Sequence, residues 1–257
     1  FLEYYGKKIL FPDTTYRFES GGLPSAIPEL TQEAFTRFHK TYYVPNNMCI
    51  AMAGDFNPDE AIKIIDKYFG TWVPGEVPEF HKVNEEPITS PIIRLVNGQD
   101  PESLTLAFRI EEGDGSHDAL LAQAMEYVLN NGSCGLIDLN LNQQQKVLGA
   151  QAMSYTRPDA GEFLIMANPK QGQTLDEVKD LVLAEIAKLR AGEFDESLLT
   201  GTINNIKLRQ MRMLESNSDR ADMFVQSFIN GTDWADEVAL IDNLSKVTKQ
   251  DVTEWAN

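Results

Sequence analysis

Residues 70 to 91 cannot hold a continuous helix or an interior strand, because Pro74, Pro78, Pro87 and Pro91 recur there among a string of glutamates. Each proline removes a backbone donor and fixes φ, so the stretch reads as an extended connection. It divides the chain into residues 1–75, a linker over 76–91, and residues 92–257. A sequence of 257 residues carries enough apolar material for a core on either side of that division.

Before the linker, Phe11-Pro12-Asp13, Ser20-Gly21-Gly22, Pro24 and Pro28 mark turns. Thr31 is placed to cap a helix on which Phe35, Phe38 and Tyr42 recur at helical spacing, and Pro45 stops it. The apolar run Asn47 to Ala53 reads as a short buried strand, with Cys49 a small buried hydrophobe inside it. Asn57-Pro58-Asp59-Glu60 opens a further helix, with Ile62, Ile65 and Phe69 on its apolar side.

After the linker, strands are expected near Ile92 to Val96 and Ser103 to Ile110. Helices follow over Asp118 to Leu129 and Ser133 to Gln145. Two more strands, Val147 to Tyr155 and Glu162 to Ala167, flank the turn Arg157-Pro158-Asp159-Ala160-Gly161. Thr174 then caps a long helix whose inward face is Leu175, Val178, Val182, Ile186 and Leu189. Gly192 ends it, and the remainder reads as helices. Adjacent strand pairs among helices give an α+β fold, a two-layer antiparallel sheet with helices.

Thirty-nine acidic against 22 basic residues leave a formal net charge of −17, which opposes approach to phosphate backbones and anionic lipid. Nucleic-acid partners are therefore not expected, and apolar runs such as Met48 to Ala53 are too short for membrane insertion. The three histidines, His39, His81 and His117, lie far apart. His39 has neither a His nor a Glu at the spacing a zinc helix needs. His81 sits in the Pro/Glu-rich connection, and His117 precedes Asp118 at a helix start, where either residue is suited to capping. The two cysteines, Cys49 and Cys134, make neither a disulfide framework nor a C-x-x-C site. No G-x-S-x-G elbow or phosphate-binding glycine loop is present. From the residues alone, neither a catalytic nor a metal-binding set can be named.

The order of features over residues 10 to 72 is distinctive, and over residues 10 to 47 it is specific. Leu10-Phe11-Pro12-Asp13-Thr14-Thr15-Tyr16 leads to Ser20-Gly21-Gly22-Leu23-Pro24 and Ile27-Pro28-Glu29-Leu30-Thr31. Phe38-His39, Tyr42-Tyr43-Val44-Pro45-Asn46-Asn47, Gly54-Asp55 and Tyr68-Phe69-Gly70-Thr71-Trp72 follow. This string resembles the second half of the catalytic domain in the pitrilysin and insulin-degrading-enzyme family of zinc metallopeptidases, most closely its presequence-protease branch. Residues beyond 90 resemble that family's second domain.

The resemblance implies the mitochondrial-processing-peptidase-like fold, with a partial first domain, and a second domain that stops before its last strand. It implies zinc in the full-length parent, held by an inverted H-x-x-E-H helix and a later Glu that lie ahead of the Leu-Phe-Pro region, so none is expected in this chain. Glu3 does not suit the place of the third ligand. The family's Arg and Tyr that steady the oxyanion fall near Leu141 to Ala150. Asn142 or a neighbouring Gln stands at the Arg position, and Gly149 or Ala150 at the Tyr position. Those groups are then expected elsewhere in a four-domain parent.

The implied partners are unstructured peptides and the remainder of the parent peptidase. The family anchors peptide on a sheet edge, and here Ser133, Cys134 and Gly135 with Leu148, Gly149, Ala150 and Gln151 would form it by backbone pairing. A helix cap followed by an internal strand explains the same residues, and both readings stay open. Two functions are compatible: a chamber wall of a zinc endopeptidase, or a non-catalytic structural or partner subunit of the same fold. The chain by itself is expected to retain no zinc after dialysis and to leave a fluorogenic peptide uncut. Stoichiometric zinc together with turnover would contradict the reading of the histidines.

Overall fold

A computed structural model describes residues 2–18 and 21–257, with the side chains of residues 2–5 left aside. The turn expected at Ser20 and the side chain of Glu3 lie outside the described residues. The chain forms two compact units. The first comprises Phe1–Ile92 and Leu214–Ile229, and the second Ile93–Met213 and Asn230–Asn257.

In the first unit, α1 (Leu2–Leu10), α2 (Gln32–Tyr42) and α3 (Pro58–Phe69) are the helices before the linker. Thr31 Oγ1 accepts from Ala34 N at 3.2 Å and caps α2. The amide oxygen of Asn57 accepts from Asp59 and Glu60 to cap α3. The Leu-Phe-Pro turn is pinned by Glu85 in the linker, whose carboxylate accepts the N–H groups of Asp13 (3.0 Å) and Thr14 (2.8 Å). Phe11 beneath it is fully buried, with its ring edge-on to Tyr16 at 5.6 Å. Asn46 pairs with the backbone of Gly75 through two bonds of 2.9 Å. A Cβ at Gly75 would lie 2.7 Å from Val44, so glycine permits that approach.

Residues 47–53 differ from expectation. Among the described residues they pair with no strand, Met48, Ile50 and Met52 are exposed, and Cys49 is exposed rather than buried. Val44 to Met48 carries only a short 3₁₀ turn, Pro45–Asn47. A strand is held by its neighbour's hydrogen bonds, and without one an apolar run stays irregular. The apolar stripes of α2 and α3 are exposed as well, Phe35 at 61% and Ile62 at 62%. The strand expected near Ile92 to Val96 does not form either.

The second unit holds the antiparallel sheet. β1 (Leu104–Ile110), β2 (Gly149–Thr156) and β3 (Gly161–Asn168) lie in the order β1-β3-β2. Leu106 stands opposite Ile165, and Ala152 opposite Ile165 on the other side. The period of two puts Phe163, Ile165 and Ala167 of β3 on one buried face with Ala150 and Ala152 of β2. Against them pack α4 (His117–Leu129) and α5 (Leu175–Arg190). Ser116, rather than His117 or Asp118, caps α4, accepting from Ala119 N at 3.1 Å.

Thr174 and Glu177 form a reciprocal capping box at the start of α5. The Thr174 hydrogen bonds hold the Glu177 carboxyl below the usual carboxylate range. The remaining helices are α6 (Ser197–Glu215), α7 (Asn217–Asn230), α8 (Trp234–Leu244) and α9 (Lys249–Trp255). Trp255 of α9 donates its indole N–H to Asp118 of α4 at 3.0 Å, tying the end of the unit to its first helix. The architecture is the α+β one expected, with helices layered on a small antiparallel sheet.

Phe163 is 1% exposed at the centre of this sheet. Phe163→Ala is expected to destabilise the second unit by about 3–5 kcal/mol in urea unfolding. A loss below 1 kcal/mol by that measurement would contradict the placement of the core.

Candidate functional site

The site expected from sequence lies where α4 ends and β2 begins, and the chemistry there is built on one buried carboxylate. Asn130-Asn131-Gly132 follows α4, and Gly132 takes φ of 82°, a left-handed conformation suited to glycine. Asp138 is 5% exposed, and its carboxylate accepts from Asn131 N (2.8 Å), Gly132 N (2.9 Å), Gly135 N (3.1 Å) and Asn130 Nδ2 (2.6 Å). A buried charge is tolerable only with such compensation. Gly135 is also sterically required, since a Cβ there would lie 2.5 Å from the carbonyl oxygen of Leu129.

The expected helix over Ser133 to Gln145 is replaced by a π-helical segment, Asp138–Asn142. Its wider bonds run from Gln143 N to Asp138 O and from Lys146 N to Leu141 O, both 2.8 Å. Gln145 takes φ of 52° as the chain turns into β2. Buried Leu141 fills the core beneath, while three polar side chains of the segment reach three different elements. Asp138 holds the loop. Asn140 donates to Glu185 of α5 at 2.6 Å, where that buried carboxylate also pairs with Lys188 at 2.8 Å. Asn142 holds the edge of the sheet.

β2 is an outer strand, so the N–H groups that do not face β3 need other acceptors. Ala150 N donates to Asn142 Oδ1 at 2.8 Å, while Asn142 Nδ2 donates to Ala150 O at 2.8 Å. Ala152 N donates to Asn130 Oδ1 at 3.3 Å. Ser154 N and Oγ donate to Glu126 Oε2 of α4 at 2.7 and 2.5 Å. Three successive outward positions are thus met by side chains.

Of the residues singled out from sequence, Ser133, Cys134 and Gly135 lie in the carboxylate-anchored loop. Gly149, Ala150 and Gln151 open β2, with Leu148 just before it and 75% exposed. The two groups are joined through intermediaries: Gln143 Nε2 donates to Ser133 O at 2.6 Å, and the adjacent Asn142 bonds Ala150. The exposed Cys134 donates its N–H to Asn131 Oδ1 at 2.9 Å, and its thiol also lies against the Asn131 side chain. Nothing within 4 Å opposes a Cβ at Gly149.

Asp138, Asn130 and Glu126 were not singled out from sequence, and Asn142 was marked only as a departure from an expected Arg. A signal was present. Asp138, Asn140 and Asn142 alternate with Leu139 and Leu141, a period of two that no α-helix buries well. Nearby, burial pushes the Tyr127 phenol above its ordinary pKa, against the opposing pull of Arg209.

The histidines occupy unrelated positions. His39 stacks on Tyr43 at 4.6 Å, His81 lies in the linker, and His117 begins α4. Among the described residues no group of three or more His, Cys, Asp or Glu side chains could hold a metal ion. Among the described residues, the donor set does not fit a zinc centre.

A family model described as the Peptidase M16 inactive domain matches residues 29–206. Presequence protease 1 of Arabidopsis thaliana is 34% identical over 90 residues, covering 35% of this chain and 8% of that protein. Zinc protease PqqE of Helicobacter pylori is 23% identical over 242 residues, covering 85% of this chain and 51% of its own length. The crystal structure of a protease from Helicobacter pylori superposes with a TM-score of 0.78 at 19% identity, over 94% of this chain and 59% of that one. The chain thus spans about half or less of these curated relatives.

Asp138→Ala would leave the Asn131, Gly132 and Gly135 N–H groups without their acceptor. The expected cost is on the order of 3 kcal/mol, with faster hydrogen exchange at those three amides. Unchanged exchange there would contradict the anchoring role.

Proposed function

The chain belongs to the peptidase M16, pitrilysin-type family, in the portion described as its inactive domain, and from that premise we propose that it serves a zinc metalloendopeptidase as a non-catalytic portion that holds peptide. In this reading the zinc site and its general base lie in other parts of the parent. Residues of this chain contribute wall to the space in which an unstructured peptide is enclosed.

The observation that carries the reading is the position of β2. It is an outer strand of the sheet, and it begins at Gly149, beside a loop kept in one shape by Asp138. An extended peptide can add to such a strand through backbone hydrogen bonds, which makes binding tolerant of side-chain sequence. That tolerance suits an enzyme acting on unstructured peptides. Open space around Gly149 leaves room for a second backbone, and exposed Leu148 offers apolar contact at the strand's start. The name of PqqE, a zinc protease, and that of presequence protease 1 support the assignment of the parent's chemistry.

The surface charge is consistent with this role. A net charge of −17 favours approach of basic peptide segments and opposes phosphate-bearing polymers. No residue of this chain is assigned to bond cleavage.

The parent enzyme, incubated with an unstructured peptide, is expected to show slower amide exchange over residues 148–151 and 133–135. Protection elsewhere on the enzyme, with none in those two segments, would end the peptide-holding reading.

A further inference from the structure

We infer that Asn97 is a modification site of this protein, where the side-chain amide is lost as ammonia and the residue becomes aspartate or isoaspartate. The inference is independent of the peptide-holding role.

Asparagine followed by glycine occurs at Asn97-Gly98, Asn131-Gly132 and Asn230-Gly231, all in the second unit. Glycine has no Cβ to shield its own nitrogen, so that nitrogen can approach the carbon of the preceding side-chain amide. The reaction begins when solvent removes the Gly98 amide proton and the nitrogen attacks Cγ of Asn97. The N–Cγ bond forms, the Cγ–Nδ2 bond breaks, and Nδ2 takes a proton from water and leaves as ammonia. A five-membered succinimide remains. Water then opens it, at Cγ to give aspartate with the backbone as before, or at the Asn97 carbonyl carbon to give isoaspartate, with the backbone rerouted through Cγ. Water is the only co-reactant, and nothing is oxidised or reduced. Either product adds one negative charge to a chain that already carries −17.

The three positions differ in what ring closure must break. Asn131 Oδ1 accepts from Ser133 N at 3.1 Å and Cys134 N at 2.9 Å, and Nδ2 donates to Tyr127 O at 3.1 Å. The attacking nitrogen there, Gly132 N, donates to the Asp138 carboxylate at 2.9 Å. That buried charge opposes a negative nitrogen beside it. Asn230 is the last residue of α7, so its backbone is held in a helix. Asn97, by contrast, is exposed in the irregular connection before β1, and among the described residues no hydrogen bond holds its side chain. Apart from chain neighbours, a Cβ at Gly98 would meet nothing closer than Asp100 N at 4.0 Å, so the approach is unhindered. The carboxylate that shapes the loop at 131–135 therefore also protects it chemically, and the reaction falls on Asn97.

The test incubates the intact protein in neutral buffer and follows all three dipeptides by peptide mapping with mass spectrometry. The map reads the mass gain of amide-to-acid conversion and separates isoaspartate from aspartate. A parallel sample in urea supplies the rates without structure. In the folded protein Asn97 is expected to convert at close to its urea rate, and Asn230 more slowly than Asn97. Asn131 is expected to convert on the order of a hundredfold more slowly than in urea, since several hydrogen bonds, one of them to a charge, must open first. Gly98→Ala, which the open space accommodates, is expected to abolish most conversion at Asn97 and leave Asn131 unchanged. Asn97 staying intact in the folded protein while converting in urea overturns the proposal. So do equal rates at Asn97 and Asn131 in the folded protein.

Discussion

The outermost strand of a sheet carries donors that must be satisfied by something other than its one neighbour, and the second unit of this protein is organised around that demand. β2 has β3 on one side only. Its other side is met by Glu126, Asn130 and Asn142. Placing those side chains requires the end of α4, the loop behind it and the approach to β2 to be fixed together. Asp138 does this by gathering three backbone N–H groups and the Asn130 side chain on one buried carboxylate. A regular α-helix from residue 133 to 145 would project Asp138, Asn140 and Asn142 at about 200° per two residues, with no common purpose. The π segment is the geometry in which all three find partners.

The first unit repeats the same device with different means. Asn46 makes the two-bond exchange with Gly75 that Asn142 makes with Ala150. There it ties the start of the linker to the turn after α2. In both places an asparagine stands in for a strand. The consequence differs, because Gly75 lies in an irregular connection and Ala150 in a sheet.

Local signals in the sequence suffice where local physics decides the structure. The Thr174 cap with Glu177 three residues on, the turn Arg157 to Gly161 and the apolar alternation of β3 depend on neighbours within a few residues, and each appears as expected. Asn47 to Ala53 has strand composition too, yet a strand exists only with a partner, and composition does not supply one. The same limit explains the site. Ser133 to Gly135 and Leu148 to Gln151 are marked by the family resemblance, with small residues that suit close backbone. Asp138 and Asn142 carry no such mark, because their importance lies in bonds to groups fixed by the fold. The histidines stand in α2, the linker and α4, and among the described residues no group of His, Cys, Asp and Glu side chains is gathered as a metal would need.

In the function proposed above, this portion of an M16 peptidase holds peptide while bond cleavage belongs to other parts of the parent. A crystal structure of the parent with an uncleaved peptide bound tests that reading most directly. The proposed role requires peptide backbone beside the start of β2 and the loop at residues 133–135. Peptide lodged elsewhere in the enzyme, with none at those two segments, would contradict it.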